Sequence, residues 1–161
     1  MYSLIALLLI SALGLWRLPV LRTALHPLEV VTVCFLTAIL QQFSYAILII
    51  NLQYLQFSGS VTDFLTLKVD QLLVAPLILT YAAGAIFHEK AGPVRRALVW
   101  AAAILLLTAQ SYYLFAMHIL VNVHWTAGSI LILIKNACLV TVVTGFAVLF
   151  RSWLRRAEVL A

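Results

Sequence analysis

The stretch "ILILIKNACLVTVVTGFAVLF", residues 130–150, decides the fold class. It is one unbroken apolar run whose single charged residue is Lys135. A helix needs about 20 such residues to cross the hydrocarbon of a bilayer. A barrel strand is half that length and alternates in polarity, and this run shows no alternation. The reading is therefore a membrane-spanning helix that carries an ammonium group.

The rest of the chain repeats the pattern. Of 161 residues, 65% are hydrophobic and 9% charged, whereas a water-facing domain carries about 25% charged residues. Further apolar runs cover Met1–Trp16, Pro27–Ile50, Val69–Phe87 and Ala97–Met117. The expectation is an all-α polytopic membrane protein, a bundle of five transmembrane helices forming one domain over residues 1–161.

Charge distribution sets the expected orientation. Arg17 and Arg22 fall in the first connection, Lys90, Arg95 and Arg96 in the third, and Arg151, Arg155 and Arg156 in the tail. With five spans these eight bases share one side, and Lys68 alone lies on the other. By the positive-inside tendency the amino terminus is outside and the carboxyl terminus cytoplasmic. No base precedes the first apolar run, so an uncleaved anchor is expected there rather than a signal peptide.

Local signals mark the helix ends. Pro27 suits a first helical turn, and Glu29 lies favourably near that positive end. "SVTD", Ser60–Asp63, resembles a capping box, so helix three begins near Val61, ahead of its apolar run. "HEKAGPVRR", 88–96, contains a Gly92-Pro93 stop. Pro76 and Gly84 are candidate kink positions. Trp100, Trp125 and Trp153 lie near the predicted interfaces.

Counting depth at about 1.5 Å per residue gathers polar groups into one layer in the outer third of the bundle. Lys135 and Asn136 come from span five, Asp70 from span three, Gln41, Gln42 and Tyr45 from span two, and Gln110, Ser111 and Tyr113 from span four. A lysine in hydrocarbon costs about 2.5–3.5 kcal/mol unless it snorkels or is paired. Asp70 is therefore the expected counter-ion of Lys135. Lys135, Asp70, Gln41, Gln42, Gln110, Tyr45 and Asn136 are the ligand-binding or ion-pair candidates, opening outward past a rim of Asp63, His118, Asn122 and His124. The competing reading makes them packing contacts between helices, as amides and hydroxyls often are.

Other chemistry finds less support. No metal site or cofactor is expected, because Cys34 and Cys138 lie in separate apolar runs, each expected to be a small buried hydrophobe, and the four histidines form no facing pair within the membrane. No GxSxG or HExxH motif occurs. A Ser44 or Ser111 dyad with Lys135 has no supporting sequence context. Ala137, Thr141 and Gly145 form a small-residue stripe, expected to pack inside the bundle. The bases occur in short clusters without an aromatic platform, so nucleic acid is not an expected partner. The expected partners are the lipid bilayer and either another protein or a second copy of the chain.

"LHPLEVV" (25–31), "IINLQYLQF" (49–57) and "VHW" (123–125) resemble a group of small multi-span membrane proteins of endospore-forming bacteria. That resemblance implies a bacterial cytoplasmic membrane and a similar helical fold, and assigns no functional residues. The function expected is a non-enzymatic accessory, scaffold or sensory subunit. The alternative is a small transport or ligand-binding protein using an outward pocket around Lys135 and Asp70.

Overall fold

A computed structural model describes residues 2–88, 92–123 and 125–157. Among them, five helical segments are long and apolar enough to cross a membrane: Tyr2–Leu21, Pro27–Asn51, Val61–Phe87, Pro93–Ala116 and Thr126–Arg156. The elements in order are α1 (Tyr2–Arg17), α2 (Pro27–Ala46), β1 (Leu55–Phe57), α3 (Val61–Val69), α4 (Ala75–Phe87), α5 (Pro93–Ala116), β2 (Leu120–Asn122) and α6 (Trp125–Arg156). His124 lies outside the described residues, as do the side chains of Asn122 and Trp125.

Residues near the chain's polar positions shape the helix ends. His26 caps α2, its Nδ1 accepting from the Leu28 amide at 3.3 Å. Glu29 answers by accepting from the His26 amide at 2.7 Å, which completes a capping box with Pro27 in the first turn. Ser60 caps α3 by accepting from the Asp63 amide. Asp63 does not return to the backbone. Its carboxylate accepts from the hydroxyls of Ser58 and Ser60, both at 2.6 Å. Gly59 supplies the positive φ of 86° that the preceding turn requires.

A π turn, Asp70–Val74, joins α3 to α4 in one helical segment, with the Ala75 amide donating to the Asp70 carbonyl. Pro76 follows at once and has no N–H to give the ladder. The widened turn is the local answer to that missing donor, and it falls on the buried carboxylate. A second π turn, Ile47–Asn51, ends α2.

α2, α4, α5 and α6 pack around one axis, while α1 lies outside them against α3, the π turn and part of α4. Gly14 permits that approach, since a Cβ there would meet Leu77 at 2.9 Å, and its carbonyl accepts from the Tyr81 hydroxyl at 2.8 Å. A short antiparallel ladder closes one end of the bundle, pairing Leu55 with Asn122 and Phe57 with Leu120. Leu55 and Leu120 point inward while Gln56 and Val121 are exposed, the two-residue alternation of a half-buried strand. The sequence reading anticipated no strand.

The interior is layered. Below the ladder sits an apolar cluster that includes Tyr45, Leu48, Leu67, Leu114 and Ile132. The polar layer comes next. A second apolar cluster follows, built on Val33, Leu79, Leu107, Val140 and Val143. The far end carries Leu21, Leu25 and Ala83. Polarity is inverted relative to a water-soluble domain: Glu29, Asp70 and Asn136 are at most 1% exposed, whereas Phe35, Leu105 and Leu149 are 66–70% exposed. Lipid as the surrounding medium accounts for both facts.

Two packing expectations are corrected. Thr141 and Gly145 face outward, and a Cβ at Gly145 would meet nothing, so of the small-residue stripe Ala137 packs against the core and the other two members do not. Cys138 is exposed rather than buried. Cys34 is half-buried, its Sγ 3.2 Å from the Thr80 hydroxyl.

Candidate functional site

Four helices converge on the layer. Lys135, from α6, is 8% exposed and Gln41, from α2, is 2% exposed. The ammonium donates to Gln41 Oε1 at 3.4 Å and sits 4.0 Å from the centroid of the Tyr45 ring. Gln41 and Tyr45 are one helical turn apart, so a single α2 face presents both the amide oxygen and the π-cloud. Cation–π attraction strengthens where water is excluded.

The tyrosine is held from its other end. Tyr45 Oη lies 3.3 Å from Ser111 Oγ, and Ser111 donates its only proton to the Leu107 carbonyl at 2.9 Å. Tyr45 is therefore the donor in the first bond. Ser44 donates to the Leu40 carbonyl. Neither serine forms a dyad with Lys135 among the described residues.

Asp70 is not in direct contact with the lysine. Its Oδ1 accepts from Gln110 Nε2, and among the described residues the ion pair within 4.0 Å is a different one, Glu29–Arg151. Lys135 and Asp70 are both buried, at 8% and 1% exposure, and opposite charges in so poorly screened a setting attract without touching. Asp70 Oδ2 and Gln110 Oε1 are buried without hydrogen-bond partners. Asn136 donates to the Thr108 hydroxyl at 3.1 Å, leaving its own Oδ1 unpartnered.

The layer thus unites Lys135 with Gln41 and Tyr45, and Asp70 with Gln110, but it does not hold all the expected members. Gln42 points elsewhere. It accepts from Lys68 Nζ at 3.1 Å, and Gln71 accepts from the same ammonium at 3.3 Å. Adjacent residues on a helix are separated by about 100°, so Gln41 and Gln42 do not share a face, and each accepts from a different lysine. Asp63 is engaged with Ser58 and Ser60, as above. His118 adopts φ +54° and its amide bonds the Phe115 carbonyl, which makes it the turn closing α5. Near that end a cleft of about 550 Å³ between α2 and α3 reaches Gln42 and Tyr45 beside Phe57. Leu55, Ile119 and Leu120, each at most 1% exposed, are packed over the layer at that end.

Two arrangements escaped the sequence reading. Lys68 is anchored by Gln42 and Gln71 and lies 5.5 Å from the Phe64 ring; the i, i+3 spacing of Lys68 and Gln71 was the available signal. Glu29 approaches Arg151 at 3.7 Å, and Arg151 lies 4.8 Å from the Phe87 ring. Their matching depth at the basic end of two spans was the clue.

A lateral groove of about 740 Å³ runs along α1, α4 and α5. Ala6, Gly14, Leu77, Ala103 and Leu106 line most of it, and Gln110 and Tyr113 supply its polar end. Gln110 therefore links the buried carboxylate to a surface that opens sideways. Compared with protein-family models, curated proteins and solved structures, the chain matches none.

Proposed function

We propose that this chain is a non-enzymatic, multi-pass protein of the cytoplasmic membrane, serving as an accessory or sensory subunit that engages its partner within the plane of the bilayer. The observation that carries the reading is the pairing of a buried polar layer, capped by the β1–β2 ladder, with a large apolar groove that runs along α1, α4 and α5. A carrier or receptor for a water-soluble ligand needs a polar-lined path to its site, whereas this groove is apolar along most of its length. The proposed orientation places the ladder and amino terminus outside and the arginine-rich end in the cytoplasm, in keeping with the distribution of bases.

A second reading, a membrane protein that binds a small molecule, draws support from Asp70 Oδ2 and Gln110 Oε1. Both are buried and unpartnered, and such atoms are costly unless a ligand or water satisfies them.

One experiment separates the two. A photo-cross-linking residue at Leu106, inside the groove, is compared in native membranes with one at Leu149, on the exposed face of α6. A discrete heavier band from position 106 alone is the expected result for an accessory subunit. An adduct of lipid or small-molecule size from position 106 alone would favour the second reading. Identical patterns from both positions would exclude a specific groove partner.

A further inference from the structure

At the end of the bundle opposite the ladder, α5 begins beside the end of α6, and a cleft of about 600 Å³ lies between them. Arg96, Arg151, Arg155 and Arg156 line it together with Ser152, over an apolar wall of Phe87 and Val148. No acid lines this cleft among the described residues. Four like charges directed at one space repel each other, and a bound anion removes that repulsion.

Three further features favour an anion there. Arg151 Nε and Nη1 are buried without hydrogen-bond partners, and the Glu29 oxygen facing Nε, at 3.7 Å, is too distant for a hydrogen bond. The Phe87 ring holds that guanidinium in place at 4.8 Å. The first turn of α5 has no acid and no side-chain cap from Gly92, so the positive end of its helix dipole adds to the arginines instead of being offset.

We propose that this cleft binds a phosphate-bearing anion, either an anionic phospholipid headgroup or a soluble phosphate. Planar guanidinium forks match phosphate oxygens in pairs. Ser152 adds a hydroxyl donor, and the Phe87–Val148 wall suits the glycerol and first methylenes of a lipid. The inference rests on the cleft alone and stands or falls separately from the accessory role.

The test uses the full chain in phosphatidylcholine nanodiscs, with thermal unfolding as the readout. Short-chain phosphatidylglycerol is titrated in one arm and inorganic phosphate in the other. Stabilisation by phosphatidylglycerol but not by phosphate identifies the headgroup as the ligand; equal stabilisation by phosphate identifies a soluble anion. In either case Arg96→Gln and Arg155→Gln, both at exposed residues, raise the half-saturating concentration about tenfold each, the loss expected for a charge-assisted contact. Arg95→Gln removes the same charge one residue away, outside the cleft lining, and leaves the titration unchanged. The proposal is overturned if neither anion stabilises the wild type, or if Arg95→Gln weakens the effect as much as Arg96→Gln.

Discussion

The ammonium of Lys135 rests 4.0 Å from the centre of the Tyr45 ring, while the nearest expected carboxylate, Asp70, is bound to Gln110 instead. The cation is therefore stabilised first by a π-face and an amide oxygen, and only at longer range by a charge. This arrangement has a direct consequence. Tyr45→Phe retains the ring and loses the hydroxyl contact to Ser111, so it should cost about 1 kcal/mol or less. Tyr45→Leu removes the π-face as well and should cost at least about 2 kcal/mol. Unfolding in mixed micelles measures both; equal losses would rule out the cation–π contact.

Lys135 and Asp70 remain electrostatic partners although they do not touch. Lys135→Met leaves a buried carboxylate uncompensated, and Asp70→Asn leaves a buried ammonium in the same position, each at about 3 kcal/mol. The double variant Lys135→Met/Asp70→Asn should recover at least about 1 kcal/mol of their sum. Strictly additive losses would show that the two charges are independent.

At the basic end, Glu29 has two tasks, the capping box with His26 and the ion pair with Arg151. Glutamine serves a capping box nearly as well as glutamate. Glu29→Gln therefore isolates the ion pair and should cost about 1 kcal/mol, with Glu29→Ala costing about 2 kcal/mol. In the Glu29→Gln background a further Arg151→Gln change should have little effect on unfolding.

His118 offers a test of the rim reading. Its φ of +54° is strained for a residue with a Cβ, so His118→Gly should be neutral or stabilise the fold by up to about 1 kcal/mol. A loss of partner or ligand cross-linking at Leu106 in a stably folded His118→Gly variant would instead give the imidazole a role beyond the turn.

The five helices long and apolar enough to cross a membrane were legible in the sequence because bilayer thickness converts directly into a count of consecutive apolar residues. The start of α2 was legible from Pro27 and Glu29, and that of α3 from Ser60, whose hydroxyl satisfies an orphan backbone donor one turn on; the capping role of His26 was not. That Lys135 and Gln41, and Asp70 and Gln110, meet at matching levels of the bundle followed from rise per residue alone.

Contacts between distant residues were decided by the tertiary structure. Gln41 and Gln42 are equivalent by composition and depth, yet helix rotation sends one to Lys135 and the other to Lys68. The β1–β2 ladder joins two three-residue segments more than sixty positions apart, too short for either to declare itself and stable only over the cluster around Tyr45. The π turn at Asp70 reflects Pro76 and its surroundings together. Depth in a membrane is a one-dimensional property that the chain carries locally. Azimuth, and with it the choice of partner, emerges only when several helices pack and compete for the same few polar groups.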